Sequence, residues 1–324
     1  RGGGPQGGPV MNGPSIRIRV PATTANLGSG FDTIGLALSL YNLYDVFDID
    51  EPGAYRMEVI GEGSAELSDP ESNLIIKSYE RACEEWGLQC PGFSLRCLNA
   101  IPLCRGLGSS STAVAGGVMI ANAFRKEPLP VEELIPLMVE IEGHPDNIVP
   151  ACLGGLVVSG AGEGRLRYVK LPPPPGDIFA VVAVPEVRVR TEDARNALPR
   201  EVSLGDAVFT LNRAAILAAS WAAGKWENLA WAMDDRLHQR FRAKLFPGGE
   251  VILEKVKGVP GCLGAAISGS GPSVLAFAKG APRGVAEAMC RVFREHGVRS
   301  RFFVLDVDEA GAVVERLSTG VAGS

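Results

Sequence analysis

The chain has 324 residues, room for one large domain or two intimate ones, and its 46% hydrophobic and 21% charged residues exclude a disordered, collagen-like or coiled-coil protein. Lys and Arg total 32 against 37 Asp and Glu, a net charge of −5, and no basic run interleaves with aromatics, so nucleic acid is excluded as a partner. No apolar run is long enough to span a membrane and no signal-peptide pattern opens the chain, so a cytoplasmic location and no membrane partner are the expectation.

Residues 1–13, RGGGPQGGPVMNG, offer almost nothing to bury and are set aside as a flexible Gly/Pro-rich tail. Alternation then predicts strands over 15–20, 36–50 and 55–60. Helical spacing over 73–86 stops at Gly87, and a strand follows over 93–99. A Gly/Ser turn over 106–111 leads into an Ala-rich buried helix to Phe124, and 131–143 reads as a further helix. Strands over 154–160 and 166–170 reach LPPPPG, whose prolines can continue neither a helix nor a central strand. The expected boundary lies there, with an N-terminal domain of 14–171 and a C-terminal domain of 172–324. Beyond it come a strand over 178–185, a long helix over 204–224 with further helical segments to Lys257, two strands around ISGSGPSV, an amphipathic helix over 285–297 and a last strand over 301–308. Hairpin-like pairs mixed with crossovers give an α+β class.

Seven cysteines without a CxxC pair or a secretory context read as reduced thiols, not as a disulfide framework or a zinc clip. The strongest chemical signal is IPLCRGLGSSSTAVAGG, Ile101–Gly117. Gly106 and Gly108 let the backbone approach a ligand, and Ser109, Ser110 and Ser111 open a helix whose unpaired N–H groups suit phosphate. A plain Ser-capped helix explains the same letters, and the Lys of a Walker loop is missing. Gly269, Ser270 and Gly271 form a second Gly-rich turn, equally readable as a hairpin. PATTANLGSGFD ends in Asp32 and equally suits a simple β-turn. EIEGHPDN gathers Glu140, Glu142, His144, Asp146 and Asn147; extended, it would align oxygen ligands for magnesium, whereas its simpler reading is a helix end and a Pro-Asp-Asn turn. Arg190, Arg195, Arg240 and Arg242 read singly as surface charges, while two converging would bind a carboxylate or phosphate.

Taken in order, PxxxGLGSSS at Pro102–Ser111, SGSGPS at Ser268–Ser273, PATTANLGSGFDTIGLAL and EGHPDN resemble the GHMP kinases, and within them the homoserine kinase branch, as do TEDARNALP and FRAKLFPG. The similarity runs from about Arg17 to the C-terminal strand. It implies an α+β two-domain fold, with an N-terminal domain like the second domain of ribosomal protein S5 and a ferredoxin-like C-terminal domain. It also implies transfer of the ATP γ-phosphoryl group to the hydroxyl of L-homoserine, on the route to threonine. By motif, Pro102, Leu103, Cys104, Arg105, Gly106, Leu107, Gly108, Ser109, Ser110 and Ser111 would wrap ATP together with Gly269, Ser270 and Gly271, and Ser110 and Glu142 would hold Mg2+, with Glu140 the competitor of Glu142. Asn26, Asp32, His144, Asp146, Asn147, Arg195 and Arg242 would surround homoserine. Among them Asn26, Asp32, Glu142, His144, Arg195 and Arg242 carry the catalytic assignment, as alignment and charge without a general base. Cys104 departs from the family pattern, which has Gly there. The alternatives are another small alcohol such as mevalonate, or a non-catalytic nucleotide or amino-acid sensor. A homodimer is the assembly to test for.

Overall fold

A computed structural model of the chain describes residues 14–48, 51 and 53–317. The expected tail of 1–13 lies outside the described residues. The first sheet is built from β1 (Ile16–Ala25), β2 (Ile34–Asp48), β3 (Tyr55–Gly61), β4 (Phe93–Asn99), β5 (Leu156–Gly162) and β6 (Arg165–Leu171). Strand β2 is 15 residues long and changes partner along its length: its start pairs with β5, its end with β4, and β1 flanks it antiparallel. β3 and β4 run parallel, joined by α1 (Leu74–Glu85), which Asn73 caps by accepting from the Ile75 N–H at 2.8 Å.

Helices α2 (Ser109–Ala123), α3 (Val131–Glu142) and α4 (Pro145–Leu153) join α1 on one face of this sheet. α2 is apolar almost all round and correspondingly buried, as a helix wedged between α1 and the sheet must be. Phe93, Tyr79, Val118, Met138 and Ile148 belong to the core that these helices close.

The second sheet is antiparallel, in the order β10 (Ser300–Leu305), β7 (Ile178–Pro185), β9 (Val274–Lys279), β8 (Cys262–Ile267). Between β7 and β8 the chain forms α5 (Thr191–Asn196), α6 (Leu204–Ala223), α7 (Leu229–Ala232), α8 (Gln239–Arg242) and α9 (Gly249–Lys257), and α10 (Pro282–Glu295) links β9 to β10. That strand order, with helical connections after the first and third strands, is the ferredoxin-like arrangement the resemblance implied. α9 and α10 pack on one face. The other face, with α6 and α7, shares a core with the first sheet in which Leu36, Leu107, Trp221 and Phe277 meet.

One expectation is corrected and one pair of alternatives is decided. The strand over 301–308 is not the last among the described residues, because β11 (Val313–Arg316) returns to pair antiparallel with β1, so part of the 172–324 segment belongs to the first sheet. Of the two readings of EGHPDN the helix end holds, since Glu142 ends α3 and Gly143 reverses the chain at φ 92°, but Pro-Asp-Asn is the first turn of a further helix: Pro145 opens α4, where its missing N–H is no loss. Among the described residues no helix is long and apolar enough to cross a membrane, and all seven cysteines are free thiols.

Trp221 is 2% exposed, crosses Phe277 edge-on with ring centroids 5.3 Å apart, and donates from Nε1 to the Pro172 carbonyl at 2.8 Å. Trp221→Ala is expected to cost about 3–5 kcal/mol of stability, read as a lowered urea midpoint.

Candidate active site

A cleft of about 540 Å³ is lined by strands of the first sheet and by segments that connect strands of the second, namely α5, α8 and the turn after β8. Its floor is the loop between β4 and α2. Gly106 (φ 71°) and Gly108 (φ 69°) are left-handed; a Cβ on the first would stand 2.0 Å from the Ser268 carbonyl oxygen, and one on the second 2.0 Å from Thr23 Oγ1. Only glycine lets the loop lie this close to the ISGSGPSV turn and to β1. Ser268 Oγ donates to the Gly106 carbonyl at 2.6 Å and the Thr23 N–H to the Leu107 carbonyl at 3.2 Å, so β1, the loop and the turn are tied together, while Thr23 Oγ1 donates to Asn147 Oδ1 of α4 at 2.8 Å.

Ser109 begins α2 with no side-chain cap, which leaves first-turn N–H groups facing the cleft with the positive end of the helix dipole. Ser110 Oγ donates to Glu142 Oε2 and Ser111 Oγ to Glu142 Oε1, both at 2.8 Å. Glu140 points elsewhere and pairs with Arg81 at 2.9 Å. Cys104 is exposed at φ 52°, a conformation that costs a non-glycine residue about 1–2 kcal/mol and so explains why glycine suits the position.

The opposite end of the cleft is charged. Arg195, from α5, holds Asp32 by two hydrogen bonds of 2.9 and 3.1 Å across 163 residues of sequence. Asp32 has φ 51°, and its N–H donates to Asn26 Oδ1 at 3.0 Å. Asn26 Nδ2 in turn donates to the Gly269 carbonyl at 2.9 Å. His144 Nδ1 stands 2.9 Å from the buried Asp146 carboxylate, and that contact raises the imidazole pKa above its ordinary value against the opposing effect of burial.

Arg242 is the exceptional cation. It is 2% exposed, yet among the described residues it forms no salt bridge, and its Nε has no hydrogen-bond partner. Nη1 donates to the Gly269 carbonyl at 3.0 Å, and the guanidinium lies 5.1 Å from the Phe31 ring centroid. Burial pushes its pKa down to about 10. A buried cation without a carboxylate is costly, and an arriving anion would remove that cost.

The structure therefore gathers Asn26, Asp32, Glu142, His144, Asp146, Asn147, Arg195 and Arg242 with Pro102–Ser111, Gly269 and Ser270 around one cleft. Gly271 is not in the lining and instead closes the turn by donating its N–H to the Ser268 carbonyl at 2.8 Å. Arg190 and Arg240 face away, pairing with Glu192 and Asp206. Sequence reasoning missed the apolar lining beyond the loop, Val59, Leu67, Leu74 and Ile141 among it, because such residues look like any core. It also missed His238, whose only signal is its place four residues before Arg242.

Comparison with known proteins agrees with this geometry. Residues 73–155 match the family description "GHMP kinases N terminal domain" and residues 216–295 match "GHMP kinases C terminal". Fold and cleft are those of an ATP-dependent small-molecule kinase, and the chain belongs to the GHMP kinase family. Its curated relatives include the homoserine kinases of Carboxydothermus hydrogenoformans, 40% identical over 92% of this chain and 96% of that one, and of Halothermothrix orenii, 37% identical over 94% and 98%. The solved homoserine kinase from Cytophaga hutchinsonii superimposes with a TM-score of 0.82 at 30% identity, covering 93% of this chain and 97% of that one. Mevalonate kinase from L. major, solved with R-mevalonate, shares the fold at a TM-score of 0.65 and 16% identity, over 92% of this chain and 99% of that one.

Because Arg242 is buried and forms no salt bridge among the described residues, Arg242→Met should raise stability by roughly 1 kcal/mol or more while weakening binding of an anionic substrate. Thermal melting beside substrate titration reads both; a large loss of stability would show that the cation supports the fold.

Proposed function

We propose that this chain is a homoserine kinase, transferring the γ-phosphoryl group of ATP to the hydroxyl of L-homoserine to give O-phospho-L-homoserine, in threonine biosynthesis. The observation that carries the reading is the charge arrangement at the far end of the cleft: a mutually satisfied Asp32–Arg195 pair beside the unsatisfied Arg242. An α-amino acid brings both charges. Its ammonium can take the place of Arg195 on Asp32, and its carboxylate can satisfy Arg242 and the released Arg195, so that no charge is left alone. Mevalonate has no ammonium and would leave Asp32 either tied to Arg195 or unpaired.

At the other end, the backbone N–H groups of Gly106–Ser111 and the N-terminus of α2 would hold the ATP phosphates, with the apolar lining from Leu67 to Ile141 facing the base. Ser110 and Glu142 suit Mg2+. They supply one hydroxyl and one carboxylate that meets no cation among the described residues, the sparse protein ligation this ion takes when nucleotide phosphates and water complete its shell. Bound there, Mg2+ would neutralise phosphate charge. The chain itself aligns the acceptor: Asp32, Arg195 and Arg242 fix the α-carbon substituents, Asn26 holds the Asp32 backbone, and His144, Asp146 and Asn147 line the space between the two ends. Phosphoryl transfer asks mainly for alignment and charge neutralisation, and no residue is assigned as general base.

ADP release from ATP tests the reading, with L-homoserine compared with mevalonate, L-serine and no acceptor. Turnover with homoserine that disappears on chelating Mg2+ is expected; turnover with mevalonate alone would overturn the reading. Asp32→Asn should raise the homoserine KM by roughly 10- to 100-fold with little change in the ATP KM. Glu142→Gln should lower kcat by roughly tenfold or more and raise the Mg2+ concentration needed for half activity.

A further inference from the structure

His238 is fully buried and lines no part of the cleft, yet it bonds to Arg242, a buried cleft cation that forms no salt bridge among the described residues. Its Nε2 is 2.8 Å from the Gly28 carbonyl, an acceptor only, so the ring proton sits on Nε2. Nδ1 is then left as an acceptor, and Arg242 Nη1 reaches it at 3.3 Å. The ring stacks on Phe31, centroids 5.0 Å apart and planes 21° from parallel, and the same Phe31 ring lies under the Arg242 guanidinium.

Asp235 comes within 3.6 Å of Nε2, but its carboxylate is engaged by the N–H groups of Leu237, His238 and Gln239 at 2.7, 2.8 and 2.7 Å. The other charged groups that act on the ring are Arg242, which opposes a second proton, and Asp32, which favours one. Burial outweighs the two carboxylates and lowers the imidazole pKa, so the ring is neutral at neutral pH.

We infer that His238 is a positioning residue for the substrate carboxylate: an uncharged acceptor that fixes the Arg242 guanidinium without neutralising it. This rests on the homoserine kinase reading given above. A carboxylate at position 238 would pair with Arg242 and remove its demand for an anion. A hydrocarbon would leave the Gly28 carbonyl without its donor and Arg242 free to swing toward Asp32. Neutral imidazole avoids both, since it satisfies the Gly28 carbonyl on one side and accepts from Arg242 on the other without carrying charge.

The test compares wild type, His238→Phe and His238→Asn on two acceptors, L-homoserine and 3-amino-1-propanol, which keeps the ammonium and the hydroxyl but has no carboxylate. His238→Phe is expected to raise the homoserine KM roughly tenfold or more, with the ATP KM changed less than about twofold. On 3-amino-1-propanol its kcat/KM should stay within about threefold of wild type, because the lost contact served the carboxylate. His238→Asn, whose Oδ1 can accept from Arg242, should recover part of the homoserine KM. Equal losses on both acceptors, or an ATP KM that rises in step, would overturn the inference and leave a purely structural histidine. Nitrogen-15 NMR of the imidazole in the wild-type protein gives a reading that needs no variant to fold. The Nε2–H tautomer at neutral pH is expected, and an imidazolium or an Nδ1–H tautomer would overturn the inference. Wild type inactive on homoserine would instead count against the functional reading.

Discussion

The site depends on one close backbone approach: the left-handed Gly106 against the carbonyl of Ser268, with no room for a side chain between them. Those residues belong to different halves of the chain, one after β4 and the other after β8. Their contact fixes the helix start of α2 relative to the Gly269 carbonyl, on which Asn26 and Arg242 both converge. The Gly/Ser loop and the charged end are thereby held in one cleft at a set separation, the kind of alignment that the proposed phosphoryl transfer requires.

Charge is distributed across the cleft with the same economy. Glu142 closes α3 at a helix C-terminus, an unfavourable place for an anion, and is compensated by two serine hydroxyls and the opposing N-terminus of α2. Arg195 and Asp32 neutralise each other. Arg242 has no such partner among the described residues and is held by a carbonyl, a neutral imidazole and an aromatic face.

Much of the local architecture was legible in the sequence. Short apolar runs located the strands on either side of ISGSGPSV, and the glycines and serines of GLGSSS marked the loop that β4 and α2 bracket. What stayed hidden was either short or non-local. α4 carries Pro145 and Pro150 in nine residues, which reads as a turn until the first proline is seen at the helix start and the chain reversal at Gly143 before it. β11 has only four residues, too few for a period, and forms because β1 offers an open edge. The ordered motifs indicated which residues belong to the site, but the pairing of Asp32 with Arg195 and the burial of Arg242 arise from tertiary contact alone. The choice between Glu140 and Glu142 likewise needed geometry, since both end the same helix and only one reaches the serines.

A zwitterionic substrate is expected to exchange into the Asp32–Arg195 pair while its carboxylate satisfies Arg242. A crystal structure with L-homoserine and a non-hydrolysable ATP analogue would show this. The ammonium is expected on Asp32, the carboxylate on Arg242 and the hydroxyl directed toward the nucleotide end near Ser110 and Glu142. An intact Asp32–Arg195 pair, with the amino acid bound and Arg242 still without an anion, would contradict it.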